Sequence, residues 1–249
     1  GIDFLRTVRE EYPDLPFILY TGKGSEEIAS DAIAAGVTDY LQKGSGTGQY
    51  AVLANRIEKA IAQYRTAERA GTLERIRRVV RDINQVLVRA RDREKLERRT
   101  CEIITDAQPY AFAWIGDVND DGTVRPRESA GQGDGYLDAV ASTEGDGPTR
   151  PATRALEAGT VVLTQSIADD PDWTPGREAA LDRGYRASAA VPLQFEDSCY
   201  GVLTVYSSEV QPFDDAETEL LAELGEDLGH ALHRIEQERR YRQLFEESV

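Results

Sequence analysis

The beginning of the chain alternates continuous apolar runs with amphipathic segments. Residues 2–11 have apolar side chains at helical spacing, and a purely apolar run follows at 17–20, as is typical of a buried parallel strand. Residues 26–36 are again amphipathic and end in a glycine that suits a helix C-cap, and VTDYLQK at 37–43 is the next predicted strand. Strand, helix and strand joined by short loops predict a parallel α/β unit.

A long helical pattern covers residues 49–90, with an interruption at Gly71 that predicts a kink or a phase shift. Its apolar positions recur in steps of three and four: Leu53, Ile57, Ala60, Tyr64 and Ala67, then Ile76, Val80, Ile83, Leu87 and Ala90. Heptad spacing of this kind buries a seam against a partner helix. We therefore expect a homodimer formed through helices, in preference to packing of this helix on its own chain.

Residues 91–235 predict one α+β domain with an antiparallel sheet. In order, the pattern gives a helix at 94–106, strands at 110–118 and 124–131, a Gly-rich loop at 131–148, a helix at 150–158, a strand at 160–167, a helix at 175–183, and strands at 186–195 and 200–208. A C-terminal helix with leucines at three- and four-residue spacing closes the domain and runs on to the end of the chain.

The charge balance of the chain indicates the ionic environment and the kinds of partner to expect. The chain has 45 acidic and 29 basic residues, for a net charge of −16, and only four of the basic residues are lysines. Excess carboxylate with scarce lysine indicates a salt-rich cytoplasm, because at about 1 M salt the Debye length falls to ~3 Å and self-repulsion is screened. Direct nucleic-acid binding by this segment is disfavoured, since phosphate contacts need clustered positive charge.

The remaining composition points to a cytoplasmic fragment. Cys101 and Cys199 have no CxxC spacing and are expected to be reduced and buried. No apolar run reaches the roughly 18 residues of a membrane span. The chain begins at Gly1 and contains no methionine, so we expect it to start inside a domain of a longer protein.

Two phrases, LYTG at 19–22 and AGVTDYLQK at 35–43, end the two predicted strands. With them, the first 64 residues resemble the C-terminal part of a response-regulator receiver domain, a flavodoxin-like half. The resemblance implies a phosphorylation switch made of the Thr21 hydroxyl, the Tyr40 ring and the Lys43 ammonium, which would respond to the acceptor oxygens of a phosphoryl group. The family usually has proline after the lysine, where this chain has Gly44.

The same resemblance implies components beyond this chain. The phosphoacceptor aspartate would lie outside it, the phosphoryl donor would be an upstream histidine kinase, and an intact receiver would hold Mg²⁺. An ordinary α/β core that happens to end its strands in a threonine and a lysine is the alternative explanation.

A strand ending in VPL at 191–193, a turn, GVL at 201–203 and PF at 212–213 before a long helix together resemble a GAF domain. GAF domains bind small molecules between the sheet and its covering helices, or dimerise. The resemblance implies an unknown small-molecule ligand, and the candidate lining residues are Phe112, Trp114, Trp173 and Tyr185, with Arg186 as a polar anchor. Simple core packing of these aromatic side chains is the alternative.

One motif imitates a metal site. Asp117, Asn119, Asp121, Gly122 and Glu128 satisfy the spacing of an EF-hand calcium loop. The preceding residues alternate like a strand, no exiting helix follows, and the Asn-Asp-Asp-Gly run is typical of a turn. A β-hairpin is therefore predicted here, and no metal site is expected in the chain.

The last twelve residues, ERRYRQLFEESV, resemble the opening helix of a PAS sensor domain. The predicted order is a receiver part at 1–64, a helical linker at 65–90, a GAF domain at 91–235, and a signalling helix with the start of PAS at 236–249. This order resembles two kinds of haloarchaeal signal-transduction protein, bacterio-opsin-activator-like regulators and multi-sensor histidine kinases.

We therefore expect a non-catalytic, regulatory segment that couples receiver state and GAF ligand or dimer state to an output module elsewhere. Two alternatives stay open. Some GAF domains reduce methionine sulfoxide with reactive cysteines, which here would be Cys101 and Cys199. The segment could also be a purely structural dimerisation module.

Overall fold

A computed structural model of the chain describes residues 1–249 apart from 23–25, 45, 47, 120–122, 134, 142–149, 172, 174–175 and 247–249. The chain forms two compact units, Gly1–Glu74 and Arg75–Val249, and each unit has its own sheet. Within this described part of the chain, no helix combines the length and the apolar character that crossing a bilayer requires.

The first unit is a small parallel β–α–β segment preceded by a helix. Its elements are α1 (Ile2–Glu11), β1 (Ile18–Thr21), α2 (Glu26–Ala34) and β2 (Asp39–Gln42). The two strands pair in parallel, with Ile18 opposite Asp39 and Thr21 opposite Gln42. The predicted parallel unit is confirmed at this level, and its assignment to a receiver domain stays a prediction.

Arg9 ties α1 to the turns of the first unit. Its guanidinium donates to the backbone carbonyls of Tyr12 at 3.2 Å, Leu15 at 2.6 Å and Gly36 at 3.0 Å. Gly36 has a φ of 83°, the left-handed conformation that ends helices at low cost in glycine. The carbonyls left free by the turns are therefore satisfied by one charged side chain.

α3 (Gly48–Arg89) is one continuous helix of 42 residues. It continues through Gly71, where a glycine inside a helix costs only about 1 kcal/mol relative to alanine, and the kink or phase shift predicted there stays a prediction. In the second unit, its Val79, Ile83 and Leu87 are buried in the domain core. The expectation that a partner helix covers this seam is therefore wrong for that part of α3, which packs on its own chain.

The second unit is an α+β domain around one five-stranded sheet. Its elements are α4 (Arg93–Thr105), β3 (Tyr110–Val118), β4 (Val124–Gly131), α5 (Tyr136–Ala141), α6 (Arg150–Ala158), β5 (Val162–Thr164), α7 (Arg177–Asp182), β6 (Ala187–Phe195), β7 (Ser198–Ser207) and α8 (Asp215–Glu246). The strand order is β4-β3-β7-β6-β5 and every neighbouring pair is antiparallel. The predicted α+β class with an antiparallel sheet is confirmed, and the predicted bounds 91–235 stay a prediction. α5 begins within the predicted Gly-rich loop, whose residues 142–149 lie outside the described ones.

Each face of this sheet buries its own apolar cluster, because side chains alternate along a strand. In β3, Ala113 and Ile115 face the cluster formed with α3, α4 and α8. Phe112 and Trp114 face the opposite side, where α5, α6 and α7 pack. One sheet therefore separates a helical cluster from an aromatic cluster.

α8 lies directly on β6 at two glycines. A Cβ on Gly225 would come within 2.7 Å of the Pro192 carbonyl oxygen, and a Cβ on Gly229 within 2.2 Å of the Gln194 carbonyl oxygen. The backbones of helix and strand thus approach each other closely at both glycines, and at Gly229 the three nearest atoms are all backbone atoms of Gln194. A displacement of β6 must move α8, or open this contact.

β3 and β4 form the predicted hairpin. The carboxylate of Asp117, at the first position of the calcium-like pattern, accepts hydrogen bonds from Arg93 and Arg127. Asp121 and Gly122 lie outside the described residues. The hairpin prediction is therefore confirmed by the antiparallel pairing, and Asp117 is already paired with two arginines.

Candidate functional site

Six aromatic side chains pack together between the sheet and helices α5, α6 and α7. This aromatic cluster consists of Phe112, Trp114, Tyr136, Trp173, Tyr185 and Tyr206, each at most 5% exposed. Ring centroids lie 5.9 Å apart for Phe112 and Tyr185, 4.9 Å for Tyr185 and Tyr206, and 6.2 Å for Trp173 and Tyr206. The structure therefore brings the four predicted aromatic residues together and adds two tyrosines.

The strand register arranges the sheet side of this cluster in two rows. One row runs Phe112, Tyr206, Ser188 and Thr164, and the next runs Trp114, Thr204, Ala190 and Val162. Cross-strand neighbours in such rows have Cβ atoms about 5 Å apart. Small and hydroxyl side chains from β6 and β7 therefore lie beside large rings from β3.

Two hydroxyls in these rows have no hydrogen bond. Ser188 Oγ and Thr204 Oγ1 are buried, and neither has a partner among the described residues. A buried hydroxyl left unpaired costs about 1–3 kcal/mol, so native proteins nearly always supply water or a ligand. The hydroxyls are unpaired polar groups on the floor of the aromatic cluster.

The tyrosine hydroxyls of the cluster are neutral groups. Burial raises the pKa of Tyr136 and of Tyr206 above the ordinary value of a phenol. The Tyr185 hydroxyl donates to the carbonyl of Gln132, in the loop after β4. These phenols are therefore suited to hydrogen bonding and stacking rather than to nucleophilic or base chemistry.

Two arginines lie near the cluster with different orientations. The guanidinium of Arg186 donates to the carbonyls of Leu181 at 3.0 Å and Tyr185 at 3.1 Å, at the end of α7. The guanidinium carbon of Arg183 lies 5.6 Å from the ring centroid of Tyr136, in cation–π range. Arg183 thus contacts the cluster directly, and the role of Arg186 as a polar anchor stays a prediction.

The predicted phosphorylation-switch residues lie on the two parallel strands of the first unit. The Lys43 backbone N–H donates to the Thr21 carbonyl at 2.7 Å, and Lys43 Nζ lies 5.3 Å from the ring centroid of Tyr20. The Tyr40 hydroxyl is buried and has no hydrogen bond to the described residues. Parallel strands place Thr21 and Lys43 at one edge of the sheet, as the switch hypothesis requires.

The two cysteines lie apart from the aromatic cluster. Cys101 is buried within the helical cluster on the other face of the sheet, where burial and nearby carboxylates raise the pKa of its thiol. Cys199 is exposed at the start of β7, so the prediction that the cysteines are buried is confirmed for Cys101 and wrong for Cys199.

In the folded protein, we expect iodoacetamide to modify Cys199 and spare Cys101, because only an accessible thiolate reacts. Peptide mass spectrometry after timed alkylation measures both sites. Equal modification of the two cysteines in the native state would contradict the placement of Cys101, and modification of both after unfolding is the control.

The sequence model of the GAF domain matches residues 90–233, which is more than half of the chain. The chain therefore belongs to the GAF domain family. It is 31% identical over 166 residues to the bacterioopsin transcriptional activator of Halobacterium salinarum, covering 65% of this chain and 23% of that protein. It is 26% identical over 197 residues to a putative transcriptional regulator of Haloferax volcanii, covering 75% of this chain and 32% of that protein. The chain thus spans less than a third of these curated relatives.

Solved structures share the fold of the second unit. A free methionine-R-sulfoxide reductase from Neisseria meningitidis superimposes with a TM-score of 0.52 at 20% identity, over 65% of this chain and 90% of that one. A domain of a putative two-component sensor histidine kinase from Sinorhizobium meliloti superimposes with a TM-score of 0.50 at 22% identity. This match covers 62% of this chain and 99% of that one. At this identity the likeness concerns the fold alone.

Proposed function

We propose that this chain is a non-catalytic sensory segment of a signal-transduction protein. In this proposal the GAF domain binds a small molecule at the aromatic cluster, and occupancy alters the packing of α3 and α8. The observation that carries it is the shared sheet, whose two faces bury the aromatic cluster and the helical cluster separately. A change on one face then has a short physical route to the other.

The chemistry of the aromatic cluster supports a planar or apolar ligand with a polar group. Stacked rings offer flat apolar surface, and the unpaired Ser188 and Thr204 hydroxyls offer donors and acceptors in a dry setting. A ligand that satisfied both hydroxyls would remove their desolvation cost. Binding pockets combine apolar lining with a few such polar groups.

The contacts of β6 support the proposed coupling. Ser188 and Ala190 face the aromatic cluster, whereas the neighbouring Ala189 and Val191 face the helices. α8 rests on the same strand through Gly225 and Gly229. α8 also holds α3, since the Arg234 guanidinium donates to the Leu87 carbonyl at 2.8 Å. Close-packed elements of this kind shift together rather than deform separately.

Substitution of both hydroxyls tests the binding proposal. We expect the double variant S188A/T204V to lose a small molecule that co-purifies with the native protein, because its polar contacts are removed. Its free energy of unfolding should not fall below the native value, since two unpaired buried polar groups disappear. Native mass spectrometry of the purified proteins, with chemical denaturation alongside, measures both quantities.

The exposed Ser129 of β4 provides the control. The variant S129A should keep the same bound mass as the native protein. A native protein without any bound mass, or an S188A/T204V variant that keeps it, would contradict the proposed site.

For the first unit we propose the phosphorylation switch of Thr21, Tyr40 and Lys43. The variant K43Q of the full-length protein should abolish any change in oligomeric state or output caused by acetyl phosphate, because the ammonium that pairs the phosphoryl oxygens is lost. The control K59Q changes an exposed lysine on α3 and should respond normally. An unaltered response in K43Q would contradict the switch.

We further propose that the segment serves a cytoplasmic regulator of transcription, as the printed names of its two haloarchaeal relatives suggest. A histidine kinase output is the second candidate, and PAS-like sequence at 236–249 fits either.

A homodimer through the helices is supported by exposed apolar residues on α3: Tyr50, Val52, Ile57, Ile61 and Val88. Light scattering of the purified chain tests this dimer, which a monomer at micromolar concentration would contradict.

The proposal that this segment is non-catalytic depends on the positions of its two cysteine thiols. A reductase would need a reactive cysteine at the ligand site, and the described structure places Cys101 and Cys199 elsewhere. Methionine sulfoxide reduction that disappears in C101S/C199S would overturn the non-catalytic proposal.

A further inference from the structure

A second, polar cavity lies at one end of the GAF domain, away from the aromatic cluster. It has a volume of about 440 Å³ and is bounded by the β3–β4 hairpin, the β6–β7 turn, the start of α4 and the last third of α8. None of the six residues of the aromatic cluster lines it. Its lining includes Arg125, His233, Gln237 and Arg240, all with polar groups at their ends.

The carboxylates of this cavity are already paired. Arg93 donates to Glu236 at 3.0 Å and also to Asp117, and Asp117 accepts a further bond from Arg127 at 3.0 Å. Paired carboxylates present little free negative charge to a ligand. They also fix the walls of the cavity, because Arg93 joins α4, β3 and α8 in one network.

Two guanidinium groups that line the same cavity are unpaired within the described structure. Arg125 comes from β4 and Arg240 from α8, and neither has a hydrogen bond or ion pair with any residue that the structure describes. Each guanidinium offers a fork of N–H donors that matches the oxygens of a phosphate. Since the two arginines belong to different elements, they can approach one anion from two sides.

His233 is held in place at the wall of this cavity. The Tyr200 hydroxyl lies 2.5 Å from His233 Nδ1, and the Phe195 ring lies 5.0 Å from the imidazole. These contacts orient the ring and leave Nε2 for another partner. Gln237, one turn along α8, adds a neutral amide.

The charge of this cavity departs from the rest of the surface. A larger groove of about 820 Å³, between β6 and α8, is bordered by Glu196, Asp215, Glu219 and Glu226 and has no basic residue in its described lining. The chain as a whole carries a net charge of −16. The cavity with three arginines, whose two carboxylates are paired, would attract anions more strongly than this groove.

We propose that this cavity binds a small phosphate monoester, at a site separate from the aromatic cluster. The dianion is held by the Arg125 and Arg240 guanidinium groups, with His233 and Gln237 as further hydrogen-bonding groups. Since Arg240 lies on α8 beyond the domain core, an occupant joins the β3–β4 hairpin to the helix that leaves the domain. The aromatic ligand proposed above is not required for this binding.

Cys199 supplies a reporter for this cavity. Its side chain lines the cavity and is exposed, whereas Cys101 is buried. Iodoacetamide carries no charge, so its reaction with Cys199 measures access to the cavity without competing for an anion site. We expect saturating inorganic phosphate, at constant ionic strength set with KCl, to slow alkylation of Cys199 by about fivefold or more, since reactivity follows exposure.

Matched arginine variants locate the site. R125Q and R240Q should each weaken phosphate protection by about tenfold, the usual effect of losing one charge-assisted contact pair. R239Q changes the neighbouring exposed arginine on α8, which does not line the cavity. In this variant, phosphate should protect Cys199 from alkylation as well as it does in the native chain. Unchanged protection in the double variant R125Q/R240Q would overturn the site.

A second probe separates free phosphate from an ester. Glycerol phosphate should protect Cys199 at concentrations equal to or lower than those of inorganic phosphate, because the cavity has room for an organic group. Protection by inorganic phosphate alone would overturn the ester assignment. Absence of protection by either probe up to about 100 mM, far weaker than a millimolar site, would overturn the proposal as a whole.

Discussion

Replacing Gly229 with alanine is expected to lower the free energy of unfolding of the second unit by about 2–4 kcal/mol. The new methyl group would meet the Gln194 carbonyl oxygen at 2.2 Å and the Gln194 carbonyl carbon at 2.5 Å. Both are backbone atoms of a central strand and cannot rotate away. Alanine favours a helix by about 1 kcal/mol over glycine, and this gain only partly offsets the overlap.

The control for this substitution is Gly71→Ala in α3. A Cβ at Gly71 meets no atom within 4 Å, so the same change should leave stability unchanged or raise it by about 0.5–1 kcal/mol. Chemical denaturation followed by circular dichroism measures both variants. Equal effects of the two substitutions would mean that α8 and β6 are not in backbone contact.

Removal of the Arg93 guanidinium in the variant R93M is the second change with a large expected effect, a loss of about 3–5 kcal/mol. Arg93 donates to Glu97 at 2.6 Å and to Glu236 at 3.0 Å, and also to the Tyr200 carbonyl at 2.8 Å. The Glu97 side chain is fully buried. Without Arg93, this carboxylate keeps, among the described residues, only Arg127 at 2.8 Å, and it is left under-compensated in a dry setting.

Arg98 provides the matched surface control on the same helix. It pairs with Glu94 at 3.6 Å, and both side chains are largely exposed, so R98M should change stability by less than about 0.5 kcal/mol. The effect of R93M should also persist in high salt, since buried pairs are screened little. A loss below 1 kcal/mol in R93M would show that the buried network does not stabilise the fold.

The strands of the GAF domain could be predicted from sequence because their patterning is strong. β3 alternates sides through Phe112, Ala113 and Trp114, and the structure buries exactly these neighbours on opposite faces. The apolar stretches of β6 and β7 are joined by a short turn, and they form the predicted hairpin. An alternating sequence pattern predicts burial well because the pleat of a strand places successive side chains on opposite faces of the sheet.

The environment of α3 could not be predicted in the same way. A stripe at three- and four-residue spacing shows that a helix has an apolar face, but it does not show what covers that face. Val79, Ile83 and Leu87 are covered by the protein's own domain. Ile57, which belongs to the same predicted stripe, stays 40% exposed.

The aromatic cluster was predictable only in part. Tyr206 stands two residues after Thr204 on β7, so the alternation places both on one face, and this signal could have identified it. Tyr136 follows a Gly-rich loop without periodicity, and only the tertiary fold brings its ring to 5.2 Å from Tyr185. The two arginines at 183 and 186 are three residues apart, and the sequence does not tell which one contacts a ring.

The cavity at the end of α8 depends on long-range contacts. Arg125 and Arg240 are far apart in sequence and become neighbours only when the hairpin and the last helix meet. The same holds for Arg93, whose partners come from α4, β3 and α8. Such clusters carry no local signal, because each member alone is indistinguishable from a solvated surface charge.

Amide hydrogen exchange in the variant W173A tests the central claim, that the sheet couples its two faces. Trp173 packs on Tyr206 from a loop outside the sheet, so its removal perturbs the aromatic cluster alone. The control Y241A removes an exposed ring of α8. We predict faster exchange in W173A at residues 79–90 and 224–235 on the opposite face, with residues 1–43 unchanged. Changes confined to the aromatic face would contradict the account.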